Sequence, residues 1–288
     1  MKIGVFTGFS AEVLPEVIGA AAEVAEEREF HSLWAAEHVL LFSDYDSRYP
    51  YNDTGKLPVA TAGVADPFMA LSFAAARTTR IRLGTGICIV PQRNPVYTAK
   101  YVADLDWLSG GRFDFGIGVG WLREEFEALG VPFERRGART DEYLRLMQAL
   151  WSDTSPQRHG EFHDLPDCLF APKPIQKPHP PIYVGGHSKA AFRRVAAYGQ
   201  GWYGHNLGPD EVPPLLTQLD SALERCGRNR RDLQVVISPF FRPVDADVLA
   251  RFRDIGVDQV LLPLVGLDHD GIRRCGDALL TLTRGLHA

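Results

Sequence analysis

The feature of this sequence that most constrains its fold is a regular alternation of short apolar strands with amphipathic helices along 288 residues. Eight strands are predicted, each followed by a helical segment, and they start near residues 2, 32, 81, 112, 182, 201, 233 and 257. Strict alternation predicts a parallel sheet. Eight such units predict an α/β fold, the closed (β/α)8 TIM barrel, rather than an open doubly wound sheet.

The clearest example of this alternation is the stretch 80–130. Its hydrophobic pattern predicts a strand over 81–90, a helix over 94–108 and a second strand over 112–118. Each strand is followed by a loop at its carboxyl end, which is where parallel α/β proteins bind their ligands. We therefore expect a ligand site at this edge of the barrel.

The predicted barrel is interrupted by two long irregular segments. The first, at about 39–66, is polar and aromatic, and the second, at about 153–181, is rich in proline. Long loops in a compact domain are usually functional. We therefore expect a single domain over 1–288, with these two insertions shaping its rim and a partly apolar substrate pocket.

Composition excludes several classes of partner. The net charge is −5, with the lysines and arginines scattered, so we expect no nucleic-acid partner. No apolar run approaches the ~20 residues of a membrane span, and the amino terminus does not resemble a secretion signal. The four cysteines are far apart in sequence, which favours free, mostly buried thiols over disulfides or a metal site. We expect a cytoplasmic protein that acts on a small molecule.

A glycine-rich loop follows the fourth predicted strand. Residues 116–120 read GxGxG, and Trp121 stands where a dinucleotide-binding GxGxxG motif would have its last glycine. One interpretation is a strand in which small residues relieve crowding. The other is backbone that closely approaches a flat cofactor. The sequence leaves both interpretations open.

A second loop, Gly185-Gly186-His187-Ser188, lies between a predicted strand and a predicted helix. Free amides and the dipole at a helix start favour an anion. The serine hydroxyl and the histidine ring are further candidate donors. Phosphate often binds after the late strands of such barrels, so we expect an anion site here.

His38 directly follows the second predicted strand and is a candidate acid–base catalyst, because histidine transfers protons near neutral pH. Glu37 either orients this ring or pairs with an arginine at the rim. The alternative for His38 is a structural role. Arg123, Glu124 and Glu125 are equally compatible with a solvated helix face.

At these residues the sequence resembles the bacterial luciferase-like monooxygenase superfamily, and most closely its deazaflavin (coenzyme F-420)-dependent oxidoreductases. Five segments carry the resemblance: KIGVFTG near the amino terminus, SLWAAEHV at 32–39, RIRLGTGICIVPQRNPVYTAK at 80–100, GGRFDFGIGVGWLREEFEALGV at 110–131, and FAPKPIQKPHPPIYVGGHSKAAFRRVAAYGQGWY at 170–203. They occur in family order along almost the whole chain.

The resemblance implies a flavin at the carboxyl end of the barrel and a set of residues around it. His38 matches the active-site histidine beside the flavin ring. Gly86 and Ile87 match a bulged position behind the ring, where we expect a cis peptide or a bulge. The loop along the cofactor is matched by Gly118, Val119, Gly120 and Trp121, and the phosphate end by Gly185, Gly186, His187 and Ser188.

The resemblance also implies an activity. Our leading hypothesis is hydride transfer between coenzyme F-420 and a small organic substrate. The alternatives are an FMN-dependent monooxygenase supplied by a separate flavin reductase and a non-catalytic flavin-binding barrel. Relatives that oxidise sugar phosphates carry a carboxylate near the place of Leu122-Arg123, so that role is not expected here. The resemblance further implies a homodimer.

Overall fold

The fold of the chain is a closed barrel of parallel strands surrounded by helices, as a computed structural model describes it for residues 1–9, 13–58, 63–240 and 242–285. The strands are β1 Lys2–Thr7, β2 Ser32–Ala35, β3 Arg82–Thr85, β4 Cys88–Ile89, β5 Phe113–Gly118, β6 Ile182–Gly185, β7 Gly201–His205, β8 Gln234–Ser238 and β9 Gln259–Pro263. The α-helices are α1 Glu16–Glu27, α2 Pro67–Arg77, α3 Pro95–Leu108, α4 Arg123–Ala128, α5 Arg136–Ser152, α6 Lys189–Tyr198, α7 Val212–Glu224, α8 Ala246–Asp254 and α9 His269–Leu282.

The strand order closes the sheet on itself. It runs β3-β2-β1-β9-β8-β7-β6-β5-β4, and a further pairing joins β3 to β5. Every recorded pairing within the sheet is parallel. Because β3 and β4 are two parts of one barrel strand, the barrel has eight strands, and the predicted (β/α)8 TIM fold is confirmed.

The third barrel strand is broken at Gly86-Ile87, which form a cis peptide bond. On either side of the break, Gly84 pairs with Asp114 and Cys88 pairs with Ile117. Four steps along the third strand thus match three steps along β5, which defines a one-residue bulge. The predicted cis peptide or bulge is confirmed, and both are present.

The barrel interior below the carboxyl edge is filled by aromatic and aliphatic side chains. Trp34 is fully buried at its centre and packs with Tyr183, Tyr203, Val236 and Leu261. Its indole ring lies 5.3 Å from the ring of Tyr183 and 5.6 Å from that of Tyr203, measured between centroids. A larger core lies between the sheet and the helices. The filled interior leaves ligands only the mouth of the barrel.

Local signals placed most helix ends correctly. Asp66 caps α2 by accepting hydrogen bonds from Phe68 N and Met69 N, with Pro67 in the first turn. Apolar periodicity predicts a start of α5 at Arg139, but the helix begins at Arg136, because its first turn lines the mouth and lacks an apolar face. Periodicity also predicts a first helix over 11–29 and a last helix over 268–286. In the described residues α1 begins at Glu16 and α9 ends at Leu282, and positions 11 and 286 lie outside them.

The two predicted insertions contain little regular structure. Residues 153–181 form a single isolated bridge between Arg158 and Leu165, and of the loop 39–66 the structure describes all but 59–62. The four cysteines are free, but only Cys88 is buried and Cys226 is exposed, so the expectation of mostly buried thiols was wrong. Across the described part of the chain, no helix combines the length and apolarity needed to cross a bilayer.

Candidate functional site

A cavity of about 1380 Å³ opens at the carboxyl edge of the barrel. Its wall contains every residue that the sequence nominated: His38, Gly86, Ile87, Gly118, Val119, Gly120, Trp121, Gly185, Gly186, His187 and Ser188. These residues come from four different strand ends. Ligand pockets commonly measure about 300–1,000 Å³, so this cavity has room for a cofactor and a substrate together.

One wall of the cavity is a platform made by Ile87 and two glycines. A Cβ atom on Gly118 would collide with the Ile87 side chain, and one on Gly185 would lie 3.3 Å from Ile87 Cγ2. The Ile87 side chain therefore occupies space that side chains at these two positions would need. The result is a flat, apolar surface of backbone and one aliphatic group, which suits a planar ring.

The other glycines of the GxGxG loop have different causes. A Cβ atom on Gly116 would collide with the Thr85 carbonyl oxygen, and the Thr85 hydroxyl donates to the Gly116 carbonyl at 2.7 Å. Gly120 has φ of +76°, which favours glycine. Gly118 is needed to seat Ile87. Crowding therefore accounts for both Gly116 and Gly118, and the close approach of a flat cofactor to this loop stays a prediction.

An anion corner is formed where the first turns of α5 and α6 reach the cavity. Gly137 and Ala138 of α5 line it, as do Ser188 and Ala190 at the start of α6. The first amides of a helix lack intrahelical acceptors and carry the positive end of the dipole. α5 has no side-chain cap at its start. Two helix starts on one wall make this the favoured place for an anion.

Arg136 adds a cation to the anion corner. Its Nε donates to the Gly120 carbonyl at 3.1 Å, and among the described residues it forms no salt bridge. Burial first, and then the nearby charge of Arg123, lower the pKa of Arg136. By contrast, Arg194 on the same wall is paired with Asp141 at 2.6 Å. Arg136 is therefore the arginine that a bound anion would stabilise most.

The structure changes the interpretation of His187 and Ser188. His187 Nε2 accepts a hydrogen bond from the His205 amide at 3.1 Å, so this nitrogen carries no proton. Burial lowers the pKa of His187 to about 4, which leaves the ring neutral at pH 7. Ser188 Oγ accepts from the Ala191 amide at 3.1 Å as the cap of α6. Both side chains therefore have a structural role at the anion corner: His187 accepts from the His205 amide, and Ser188 caps α6.

His38 is oriented by a carboxylate from another strand–helix unit. Glu125, in α4, lies with its Oε2 3.0 Å from His38 Nδ1, and its Oε1 accepts from the Val39 amide at 2.6 Å and the Leu40 amide at 3.2 Å. A carboxylate only accepts hydrogen bonds, so Nδ1 carries the proton and Nε2 has a free lone pair. Among the described residues Nε2 has no hydrogen-bond partner, so it is available to a ligand in the cavity.

Glu37, the residue expected either to orient His38 or to pair with an arginine, does the latter. It is buried and paired with Arg93, and it also accepts from the Ile89 amide. Burial raises the pKa of Glu37, and the Arg93 charge opposes that rise. This pair ties the end of β2 to the residues after the bulge. The solvated helix face that the sequence left open for Arg123, Glu124 and Glu125 does not hold at Glu125, since that carboxylate is fully buried.

The rim loop after β2 is attached at both sides of the mouth. On the α4 side, Glu124 Oε1 accepts from the Asp46 amide at 2.7 Å and the Ser47 amide at 3.0 Å. Although burial opposes them, these hydrogen bonds and that of the Ser47 hydroxyl lower the pKa of Glu124 to about 2. On the β7 side, the Tyr49 hydroxyl and His205 Nε2 form a hydrogen bond at 2.9 Å. This rim loop, which runs over 39–66, is therefore held at both sides of the cavity, and we call it the strap.

Sequence reasoning missed the roles of Glu125, Arg136 and Tyr49. The signal for Arg136 was present, because two adjacent arginines precede a long helix in FERRGAR. No local signal marks Glu125, which is 87 residues from His38. Within the described ranges, no group of three or more His, Cys, Asp or Glu side chains could hold a metal ion.

Comparison with known proteins gives both a family and a fold. The model of the luciferase-like monooxygenase family matches residues 1–255. An uncharacterised protein of Mycobacterium tuberculosis is 34% identical over 246 residues, which cover 84% of this chain and 85% of that protein. An FMNH2-dependent dimethylsulfone monooxygenase of Pseudomonas putida is 31% identical over 161 residues, which cover 55% of this chain and 44% of that protein.

Two solved structures share the barrel. The monooxygenase RslO1 of Streptomyces bottropensis superposes with a TM-score of 0.80 at 23% identity and full coverage of both chains. An F420-dependent secondary alcohol dehydrogenase with a bound F420–acetone adduct gives 0.75 at 17% identity, covering 96% of this chain and 97% of the other. These two likenesses establish the fold alone. On the match to the family model, this chain belongs to the luciferase-like monooxygenase family.

Proposed function

We propose that this protein is an oxidoreductase that transfers hydride between deazaflavin coenzyme F-420 and a small organic substrate. The observation that carries the proposal is the placement of His38. Glu125 Oε2 lies 3.0 Å from His38 Nδ1, which leaves His38 Nε2 available to a ligand. His38, the Ile87 platform and the anion corner all line the same cavity. The apolar platform and the anion corner would bind and orient a flavin, and His38 would supply a proton-transfer group beside it.

The residues fit a flavin in two places. The Ile87 platform, with Gly118 and Gly185, is flat enough to lie behind the ring, and side chains on these glycines would disturb it. The anion corner, with Arg136 and two helix starts, would hold the phosphate. Val119, Gly120 and Trp121 lie in the loop that follows β5 and would line the cofactor.

A deazaflavin, when bound, supplies a carbon centre that gives or accepts hydride and reacts poorly with oxygen. The side chain that completes the reaction is His38, whose Nε2 would take a proton from the substrate oxygen or return one. Glu125 would accept the proton of His38 Nδ1, which leaves Nε2 to the substrate, and would stabilise the ring when it carries a second proton. A positioned general acid–base group typically contributes ~10²–10⁴-fold in rate.

The arginines beside the anion corner favour coenzyme F-420 over FMN. Beyond its phosphate, F-420 continues into a tail of glutamates, whereas FMN ends at the phosphate. Arg123 and Arg135 line the same side of the cavity, and their salt bridges to Glu134 and Glu161 are solvent-exposed. Exposed ion pairs are worth little, so tail carboxylates can replace these partners.

The second candidate is an FMN-dependent monooxygenase that receives reduced flavin from a separate reductase. The observation in its favour is the 31% identity to the FMNH2-dependent dimethylsulfone monooxygenase over just over half of this chain. The same platform and anion corner suit FMN, whose phosphate would be the anionic partner that Arg136 lacks among the described residues. The two candidates differ in what Arg123 and Arg135, beyond that corner, would contact: the glutamate tail of F-420 would reach them, whereas FMN ends at its phosphate.

Titration of the purified chain with F-420, with its phosphate-free deazaflavin core, and with oxidised and reduced FMN tests the choice. Trp121 lies in the cavity wall, so quenching of tryptophan fluorescence reports binding. The proposal expects F-420 to bind at least tenfold more tightly than either FMN form and than the phosphate-free core. Tighter binding of reduced FMN would select the monooxygenase, and no binding of any flavin would reject both.

A variant pair separates the phosphate from the tail. Arg136→Met should weaken F-420 and FMN alike, because both have a phosphate. Arg135→Met should weaken F-420 alone, because the exposed Arg135 lies on the tail side. Equal effects of Arg135→Met on both flavins would count against F-420 as the natural cofactor.

A further inference from the structure

The barrel topology divides the cavity into two halves of different chemistry. The glycine platform and the anion corner belong to β4, β5 and β6 and to the helices after them. The opposite half of the strand order is β7, β8, β9 and β1. The cavity-lining residues from this second half are Phe6, Thr7, Gly8, Tyr203, His205, Phe240, Pro263 and Val265. We call this set the apolar half.

The apolar half contains no charged side chain at neutral pH among its described residues. Its one titratable imidazole, His205, is neutral, because burial lowers its pKa to about 3. The arginines on the cavity wall lie elsewhere: Arg123, Arg135, Arg136 and Arg194 follow β5 and β6, and Arg48 lies in the strap and donates to the Asp53 carbonyl. A charged ligand group would therefore lose its hydration here without gaining a partner.

The apolar half is built around a continuous run of rings. Phe6 stacks on Phe240 with centroids 5.7 Å apart, and Phe240 lies 4.4 Å from the ring of His205. The His205 ring is nearly parallel to that of Tyr203, at 14° and 6.4 Å. The rings come from two strands and a loop of the barrel: Phe6 from β1, Tyr203 and His205 from β7, and Phe240 from the loop after β8. The wall is therefore a rigid aromatic surface that suits a flat or cyclic apolar ligand.

His38 lies at the boundary of the two halves, because β2 is the neighbour of β1 in the barrel. We infer that the apolar half is the substrate site and that it takes an uncharged, cyclic or aromatic ketone or alcohol, with its oxygen directed to His38 Nε2. The reaction at His38 rests on the proposed function, whereas the binding of an uncharged cyclic ligand to the apolar half does not depend on it. Carboxylates, phosphates and ammonium compounds are disfavoured at this wall.

A matched pair of ketones tests this inference without turnover. 4-Methylacetophenone and 4-acetylbenzoate share the ring and the ketone, and they differ by a methyl group against a carboxylate. Calorimetric titration of the full chain, with and without bound flavin, should give at least tenfold tighter binding of the methyl compound. Equal or tighter binding of the benzoate, or no binding of either ketone, overturns the inference.

A pair of variants places the ligand on the aromatic wall. Phe240 has φ of +59°, a conformation that both Asn and Asp tolerate. Phe240→Asp should bind 4-methylacetophenone at least tenfold more weakly than Phe240→Asn, because only the carboxylate must be desolvated. Leu169→Asp, at a side chain 92% exposed, adds the same charge outside the cavity and should have no effect. Identical affinities of the two Phe240 variants would overturn the assignment.

The results also separate this inference from the proposed function. If the ketones are discriminated and no flavin binds, the flavin proposal fails and the substrate site stands. If F-420 binds and the ketones are not discriminated, the substrate site fails alone.

Discussion

Glu125 Oε2 lies 3.0 Å from His38 Nδ1, and the same carboxylate accepts the amides of the next two residues, Val39 and Leu40. One buried side chain of α4 therefore holds the backbone after β2 and orients the ring of His38, which lies three residues beyond the end of that strand. The contact with Glu125 therefore decides which nitrogen of His38 is available to a ligand.

Replacement of His38 by alanine should lower turnover ~10²–10⁴-fold, because it removes the proton-transfer group. Flavin affinity should change much less, since the platform and the anion corner remain. Steady-state kinetics and a flavin titration measure the two effects. His159→Ala, at a side chain 76% exposed, is the matched control. Turnover at the wild-type rate would make His38 structural, and loss of flavin would make its main role binding.

Glu125→Gln should lower kcat without a comparable rise in KM. The Gln carbonyl can still accept the Val39 and Leu40 amides, but its NH2 group would face His38 Nδ1. The ring then has to accept at Nδ1 and carry its proton on Nε2, which removes the lone pair offered to the substrate. We expect kcat to fall roughly 10²-fold. Glu125→Asp should recover part of the lost kcat, because its carboxylate can still accept from Nδ1. An unchanged kcat in a folded Gln variant would show that the tautomer is irrelevant.

Gly186→Asp should weaken flavin binding by roughly 10²-fold, because it places a carboxylate beside the anion corner, and like-charge contacts cost several kcal/mol. Fluorescence titration measures the change. Gly110→Asp is the control, since both glycines have positive φ and Gly110 has open space around it. Unchanged affinity in Gly186→Asp, or equal losses in both variants, would place the phosphate elsewhere.

Acidification should destabilise the protein between pH 6.5 and about 4. Burial lowers the pKa of His187 to about 4 and that of His205 to about 3, whereas both are near 6.5 in the unfolded chain. The unfolded chain therefore binds more protons in this range, so the free energy of unfolding falls as pH falls. The slope is at most about 1.4 kcal/mol per pH unit for each histidine.

Urea unfolding at pH 7 and pH 5 measures this effect. His205→Gln should reduce the pH dependence, because its side chain does not titrate and can still form a hydrogen bond with the Tyr49 hydroxyl. A free energy of unfolding that falls equally in the variant and the wild type would assign the acid sensitivity to other groups.

A homodimer is expected in solution, as the family resemblance implies. α2 and α3 pack side by side and expose several large apolar side chains. These are Met69, Phe73, Tyr97, Trp107 and Leu108. Light scattering should give twice the chain mass at micromolar concentration, and Met69→Asp with Tyr97→Asp should give the monomer. A monomeric wild type at that concentration would contradict the prediction.

The sequence predicted the barrel because each strand is locally apolar and each helix locally periodic. It also placed the ends of the strands, and topology alone brings strand ends together at one edge, so His38, Gly118 and Gly186 could be nominated together. The prediction of a cis peptide or bulge at Gly86-Ile87 came from the family resemblance. None of these predictions needed knowledge of which side chains meet across the barrel.

The partners of those residues could not be predicted, because they depend on contacts between distant segments. Glu124 and Glu125 are adjacent acidic residues in a helix start, a pattern that equally suits a solvated face. Only the fold shows that Glu125 turns inward to the end of β2. Likewise, nothing near Tyr49 in sequence indicates that its hydroxyl meets His205, 156 residues away.

The two neighbouring glutamates at the start of α4 divide the strap into parts with different freedom to change. Glu125 fixes the strap at Val39 and Leu40, and Glu124 fixes it again at Asp46 and Ser47. Among the described residues after Ser47, the strap is anchored at the β7 side by the Tyr49 hydroxyl and by the Tyr51 carbonyl, which accepts from the Asn206 side chain at 2.6 Å. We therefore expect that the distal part of the strap can be exchanged or lengthened without moving His38. If the proposed acid–base role of His38 is correct, changes there would alter which ligands the mouth admits and leave His38 and Glu125 in place.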